Sequence, residues 1–251
     1  MRLELVPTSI KLQQGALSRV EVLQNRIDGE LLVRKTRGKQ REIHIEEVDC
    51  VEYLGVHFDG FLSERTFPEQ ADLTKQWFRW GLDVVEPVHV TQEEIIYPYI
   101  PGSNLKTHLI NGETSAIEPA LASVKRAHKA GVILGDRKPK NIIVEDDGRI
   151  THIDFDLKLT GKRREELELA QLIYDITCQT TKFDDTMGII ETFARNSPRK
   201  NVTRYSWPKV AQFIKRYDQF YTEHPIGIDW RDSDAGLGNN LAVVTSALSS
   251  V

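Results

Sequence analysis

The sequence contains no apolar run of about 18 residues, the length that a helix needs to cross a membrane. Its first residues, MRLELVP, also lack the long apolar core of a secretory signal peptide. Only two cysteines occur, Cys50 and Cys178, and they stand far apart and outside any CxxC or histidine-rich motif. We therefore expect no disulfide framework, no zinc site and a cytoplasmic location.

Neither sign of charge dominates the composition. Lys and Arg number 33 against 37 Asp and Glu, which gives a net charge of −4. This balance does not suggest binding of nucleic acid over the whole surface. Forty per cent of the 251 residues are hydrophobic, so the chain can bury a sizeable core in one large domain or two small ones. No internal repeat or low-complexity tract is present.

The most informative segment has the sequence LGDRKPKN at residues 134–141, and the sequence IDFD follows it at residues 153–156. Apolar runs at 142–144 and 150–153 with a turn at 146–148 predict a β-hairpin between them. The polar side chains of the two motifs would then converge at one place. The two motifs at this separation are specific in combination. A hairpin whose Asp and Asn residues only make turns is the structural alternative.

These residue types match the needs of phosphoryl transfer. That reaction requires an aspartate facing the acceptor hydroxyl, cations beside the phosphates and oxygen ligands for Mg²⁺. Asp136 fits the first role and Lys138 the second. Asn141 and Asp154 fit the third. The sequence therefore predicts a phosphotransferase that uses ATP and Mg²⁺.

The first part of the chain is rich in predicted strands, at residues 10–12, 20–23 and 30–35. The loop between the first two contains Gly15, and the third strand ends at Lys35. A glycine gives a phosphate-covering loop a flexible point, and a strand-end lysine can reach the α- and β-phosphates of a nucleotide. We expect both residues to bind ATP. A solvated strand-end lysine is the alternative for Lys35.

Residues 68–80 predict a helix that Thr66 caps and Gly81 ends. Glu69 lies in its first turn, where its carboxylate would hold Lys35 in place. Glu64 is the alternative partner of that lysine.

Further strands are predicted at 84–90 and 94–100, and the second runs into the sequence YPYIPG. A hinge is expected here that binds adenine through backbone groups, with the carbonyl of Pro98 accepting and the N–H of Ile100 donating. Proline loses nothing in this role, because only its carbonyl is needed. The expected organisation is an N-terminal lobe, a hinge and a C-terminal lobe, at residues 1–97, 98–102 and 103–251.

With these motifs the chain resembles the protein-kinase-like superfamily, over roughly residues 8–225. The resemblance implies an α+β bilobal fold, with a small β-rich N-terminal lobe, a mainly helical C-terminal lobe and a short activation segment. The sequences QGA at 14–16, ERT at 64–66 and YIPG at 99–102 are similar to the small kinase subunit of the KEOPS tRNA-modification complex. The short segment after IDFD is also similar to the RIO kinases.

This resemblance implies an atypical serine/threonine protein kinase, with partners that include a protein complex and tRNA. It implies Asp136 as catalytic base, Lys138 as a γ-phosphate contact, and Lys35 paired with Glu69 beside the nucleotide. Asn141 and Asp154 would be the Mg²⁺ ligands.

Two departures keep other functions open. Leu134 stands where kinases usually have histidine, and Asp156 stands where they usually have glycine. The sequences IDFD and ELA, at 168–170, are similar to lipopolysaccharide and sugar kinases, which favours a small-molecule acceptor. A pseudokinase that acts as a scaffold for a protein or RNA is the third possibility.

A short segment separates IDFD from the amphipathic helix predicted at 165–176. The long activation loop and APE sequence of conventional protein kinases are absent, which removes the usual platform for a peptide substrate. The segment is basic, and either contacts a phosphorylated substrate or tRNA or forms a solvated turn. Its basic residues are Lys158, Lys162, Arg163 and Arg164. Two or three helices are predicted beyond residue 180.

Overall fold

A computed structural model describes residues 3–12, 18–37, 60–197, 205–223 and 237–251. The strands are Leu5–Pro7 (β1), Ser18–Asn25 (β2), Leu31–Arg37 (β3), Gly60–Glu64 (β4), His89–Val90 (β5), Glu94–Pro98 (β6), Ser103–Asn104 (β7), Ile142–Val144 (β8), Ile150–His152 (β9) and Leu157–Gly161 (β10). The helices are Phe67–Arg79 (α1), Leu105–Ile110 (α2), Ile117–Lys129 (α3), Arg164–Gln179 (α4), Phe183–Arg195 (α5), Trp207–Glu223 (α6) and Leu237–Ser249 (α7). The predicted α+β fold, with a β-rich N-terminal part and a mainly helical C-terminal part, is confirmed.

An antiparallel sheet with the strand order β1-β2-β3-β6-β5 forms the N-terminal part. Its central strand β3 places Lys35 opposite Val20 on one side and Ile95 on the other. The predicted strand at 84–90 is shortened to β5, because Pro87 lacks an N–H and restricts the residue before it. The predicted strand at 10–12 is irregular, and β1 precedes it.

Helix α1 begins as its sequence predicts. The Thr66 side chain accepts a hydrogen bond from the N–H of Glu69 at 3.3 Å, and the Glu69 carboxylate accepts from the N–H of Thr66 at 2.7 Å. This reciprocal capping box satisfies two backbone donors that the helix itself leaves unpaired. After the helix, Gly81 has φ +74°, the left-handed conformation that glycine adopts without strain.

Helix α4 lies at the centre of the helical part and contacts α2, α3, α5, α6 and α7. Most of its side chains are buried, including polar ones. Tyr174 stacks on Tyr217 and Tyr221 of α6, with ring centroids 5.7 and 5.9 Å apart. A helix buried on all sides makes a rigid base for the loops that contact it.

Two smaller sheets lie beside this base. The predicted hairpin is present as β8 and β9, and β7 pairs with β8 to complete a three-stranded sheet. Strand β10, directly after the IDFD sequence, pairs with β4, directly before α1.

Along the described ranges no helix is both long and apolar enough to cross a membrane. Cys178 is a free thiol, and Cys50 lies outside the described residues.

Candidate active site

The GDRKPKN loop (residues 135–141) brings three of the predicted site residues together. The Asp136 carboxylate accepts hydrogen bonds from Asn141 Nδ2 at 3.3 Å and from Gln171 Nε2 at 2.6 Å. The Lys138 ammonium lies 3.7 Å from Asp136 Oδ1. A carboxylate, an ammonium and an amide therefore share one small region at the end of the β8–β9 hairpin.

The IDFD loop (residues 153–156) carries a strained backbone. Asp154 has φ +62° and is the single non-glycine residue with positive φ in the described ranges. Such a conformation costs of order 1–3 kcal/mol and persists where the surrounding structure imposes it, often at active sites. The Asp154 carboxylate lies beside Lys35, with Oδ1 2.6 Å from the ammonium nitrogen.

Lys35 is 7 % exposed and lies between two carboxylates of this loop. Its Nζ atom is 2.6 Å from Asp154 Oδ1 and 2.6 Å from Asp156 Oδ1. Burial disfavours the ammonium, but the two carboxylates outweigh burial and raise the pKa of Lys35. Burial likewise opposes the charge of Asp154, yet Lys35 holds the pKa of that carboxyl below its usual range. Burial and then the neighbouring Asp154 raise the pKa of Asp156 to about 6.

Arg137 ties the two loops to each other. Its guanidinium is fully buried and donates to the carbonyls of Ile153 at 3.1 Å and Asp154 at 2.5 Å. It also lies over the Phe155 ring, 5.1 Å from the centroid. The N–H of Ile153 donates to the carbonyl of Asn141 at 3.0 Å. Asn141 and Asp154 are thus neighbours across the end of the hairpin.

A second buried arginine holds the IDFD loop from the start of α1. Arg65 Nη1 donates to the carbonyls of Phe155 at 3.0 Å and Leu157 at 2.7 Å, and its guanidinium lies 5.6 Å from the Trp77 ring. Burial, with Arg137 nearby, lowers the pKa of Arg65 to about 10, so the side chain stays charged at neutral pH.

The predicted pairing of Lys35 with Glu69 is wrong. Glu69 is exposed, and its carboxylate is engaged in the capping box with Thr66. Glu64 is not a partner of Lys35 either. The next helix position faces the site instead: Gln70 is buried, and its Nε2 donates to Asp156 Oδ1 at 2.9 Å. The rotation of α1 against the sheet decides which of two adjacent residues points inward.

The predicted hinge segment begins at the end of β6, at a distance from Lys35. Pro98 ends β6 opposite Leu32, three residues along the strand from the pair of Lys35 and Ile95, or about 10 Å. The N–H of Tyr99 donates to the carbonyl of Leu31 at 3.0 Å, so the backbone of Tyr99 faces β3. Because backbone groups alternate along a strand, the carbonyl of Pro98 at the end of β6 is directed to the opposite edge. Gly15 lies outside the described residues.

Two residues of α4 that support the GDRKPKN loop were not predicted. Gln171 donates to Asp136 and accepts from the N–H of Arg137 at 3.1 Å. Glu168 accepts from the N–H of Gly135 and is paired with the buried ring of His128 at 2.6 Å. Their signal in the sequence is a pair of polar residues three apart, hence on one face, among the buried residues Leu167, Leu169 and Leu172.

The residues present fit a Mg²⁺ ion that arrives with a nucleotide. Asn141 Nδ2 donates to the carbonyl of Asp136 at 3.0 Å, so its Oδ1 atom points away from that carbonyl. This oxygen and the carboxylate of Asp154 are hard ligands of the kind Mg²⁺ prefers. Within the described parts of the chain, no group of three or more His, Cys, Asp or Glu side chains could hold a metal alone. Nucleotide phosphates and waters would complete the coordination.

The chain combines a β-sheet N-terminal part with a mainly helical C-terminal part. No family model matches the sequence. A serine/threonine-protein kinase CBK1 from Pneumocystis carinii is 23 % identical over 156 residues, covering 54 % of this chain. The chain spans 30 % of the length of that relative. A crystal structure of Rad53 1-466 in complex with AMP-PNP is 15 % identical, with a TM-score of 0.44 over 97 % of this chain and 62 % of that one.

Proposed function

We propose that this chain is an ATP- and Mg²⁺-dependent phosphotransferase with its active site between the five-stranded sheet and the helical part. The observation that supports this best is the convergence of charged and amide side chains from β3 and two loops. The fold does not need a buried ammonium, a strained aspartate and a hydrogen-bonded carboxylate at one place, and such groups cluster at functional sites. The residues concerned are Lys35, Asp136, Lys138, Asn141 and Asp154.

In this proposal the nucleotide lies along the edge of the sheet, and Gly15 contributes to its binding. The backbone of Pro98 and Ile100 binds adenine in a hinge at 98–102, between lobes at 1–97 and 103–251. Lys35 contacts the α- and β-phosphates. Asn141 and Asp154 hold Mg²⁺, which neutralises charge on the phosphates when it is bound.

Asp136 is the proposed base. The acceptor oxygen forms its bond to the γ-phosphorus as the bond to the β,γ-bridging oxygen breaks, and the hydroxyl proton passes to Asp136. Gln171 and Asn141 fix the direction of that carboxylate through hydrogen bonds. Lys138 places a positive charge beside it, where the transferred group carries negative charge.

The acceptor that we propose first is a protein serine or threonine hydroxyl, the chain's own included, as in the KEOPS and RIO kinases that the motifs resemble. Such a kinase would work with protein-complex partners and, through them, with tRNA. A small-molecule acceptor such as a sugar is the second candidate. It is favoured because only residues 157–163 separate Asp156 from α4, and most of them are paired with β4. That pairing leaves no long loop on which a peptide would rest.

Transfer of label from γ-labelled ATP tests the proposal. We expect Asp136→Asn to lower turnover by about 10²–10⁴-fold, while nucleotide affinity changes little. Asp147→Asn, in the exposed turn of the same hairpin, is the matched control and should transfer as wild type does. Equal transfer by the Asp136 variant, or a wild-type protein that binds no nucleotide, would refute the proposal. Label on the protein itself favours a protein acceptor, and label only on added sugars favours the second candidate.

A further inference from the structure

The buried lysine of this site takes its carboxylate partners from an unexpected element. In protein kinases the strand lysine is paired with a glutamate of the neighbouring helix, and helix position controls activity through that pair. Here both partners of Lys35, Asp154 and Asp156, belong to the IDFD loop. The neighbouring helix α1 contributes a neutral amide, Gln70.

Asp156 is held from several elements at once. Its Oδ1 atom accepts from Gln70 of α1 and contacts Lys35 of β3, and its Oδ2 atom lies 3.4 Å from Ser18 Oγ of β2. Its carbonyl accepts from the N–H of Arg65 at 2.7 Å. A carboxylate with so many fixed donors is pre-organised to hold the ammonium in one position.

The two carboxylates differ in what else they can do. The Asp154 side chain is 36 % exposed, whereas that of Asp156 is 15 % exposed. Asp154 is therefore the one that can turn toward a ligand in the cleft. When it does, Lys35 keeps a single carboxylate, and that carboxylate belongs to Asp156.

We propose that Asp156 is the positioning residue of Lys35 and takes the place of the helix carboxylate found in other kinases, with Gln70 holding Asp156 by its amide. This inference rests on the proposed nucleotide site. It also explains why α1 carries glutamine at this position. A third carboxylate beside one buried ammonium would leave uncompensated negative charge, whereas an amide satisfies Asp156 without adding any.

The proposal predicts that two harmful changes compensate for each other. Asp156→Asn removes the carboxylate that stays on Lys35. Gln70→Glu adds an excess carboxylate. Because Gln70 Nε2 and Lys35 Nζ contact the same oxygen atom, a glutamate at position 70 is within reach of the lysine. The double variant therefore exchanges the two groups, with a carboxylate on α1 and an amide in the loop.

The experiment measures the affinity of ADP for wild type, both single variants and the double variant, in Mg²⁺ and in EDTA. Asp147→Asn is the matched control for the loss of one aspartate. We expect Asp156→Asn to bind about 10-fold or more weakly in both buffers, as for the loss of a charge-assisted hydrogen bond. Gln70→Glu alone should also weaken binding, and the double variant should bind within about 3-fold of wild type.

A loss in Asp156→Asn that appears only with Mg²⁺ would overturn the proposal and make Asp156 a metal ligand. Unchanged binding by Asp156→Asn, or a double variant weaker than both single ones, would overturn it too. If Asp156→Asn does not fold, the double variant decides the question. A double variant that folds and binds ADP supports the proposal, and one that does not fold or does not bind ADP overturns it. If wild type binds ADP in neither buffer, the proposed function itself fails, which separates the two failures.

Discussion

At the scale of single residues, two buried arginines are held by backbone carbonyls. Arg65 and Arg137 donate to carbonyls of the segments that carry Asp136 and Asp154. Each guanidinium also lies over an aromatic ring. These contacts fix loop backbones and leave the loop side chains available for a ligand.

Arg137→Leu is expected to destabilise the protein by about 2–4 kcal/mol, because buried carbonyls of the IDFD loop lose their donors. Arg149→Leu is the matched control, since the Arg149 side chain at the turn of the hairpin is 71 % exposed. Urea unfolding followed by circular dichroism gives both free energies. Similar midpoints for the two variants would show that Arg137 does not support the loops.

The proximity of three of the proposed site residues could be predicted from one local motif. Asp136, Lys138 and Asn141 lie within six positions of chain, so a short loop is enough to bring them together. The partner of Lys35 could not be predicted in this way. Choosing between Glu69 and Gln70 requires the rotation of α1 against β3, which depends on packing across the whole N-terminal part. In the sequence Asp156 stands out only as a departure from glycine, which does not reveal its contact with Lys35.

At the scale of elements, α4 supports the loop that carries the proposed base. Glu168 and Gln171 lie one turn apart on its buried face and bind the loop at Gly135, Asp136 and Arg137. The helix is itself held by packing on five other helices. A rigid helix therefore sets the position of Asp136.

Gln171→Leu should lower turnover by roughly 10–100-fold while nucleotide affinity is retained, because a base displaced by a fraction of an ångström loses alignment with the acceptor. Gln219→Leu, on the exposed side of α6, serves as the control. Steady-state turnover and ADP titration separate the two quantities. An equal loss of affinity would mean that Gln171 supports the whole site and not the base alone.

Helices were predicted from sequence better than strands. The Thr66 cap, the Gly81 end and the apolar spacing of α4 are local signals, and each corresponds to an observed feature. Strand β10 was not predicted, because its partner β4 lies far away along the chain and the pairing has no local signature. The pairing of β7 with β8 was missed for the same reason.

At the scale of the whole molecule, the proposed nucleotide site takes side chains from both the sheet and the helical part. Lys35 comes from the five-stranded sheet, whereas Asp154 and Asp156 come from the loop beside the helical part. A ligand that contacts both parts stabilises the folded chain as a unit, since the unfolded chain has no such site.

Saturating ATP with Mg²⁺ should therefore raise the melting temperature. At 100 times the dissociation constant the stabilisation is about 2.7 kcal/mol, which corresponds to roughly 5–10 °C for a chain of this size. EDTA should reduce the shift, and Lys35→Ala should abolish it. Lys129→Ala, at the exposed end of α3, should keep it. Scanning fluorimetry provides the measurement, and a shift that survives Lys35→Ala would place the nucleotide elsewhere.

The ladder between β4 and β10 has a consequence for how such a protein would be controlled. The stretch that follows Asp156 is held here by a regular set of backbone hydrogen bonds to β4. Releasing it requires local unfolding rather than the turning of a flexible loop. The activity of the proposed phosphotransferase would then depend on the amount of protein and on the supply of acceptor, and not on release of this segment.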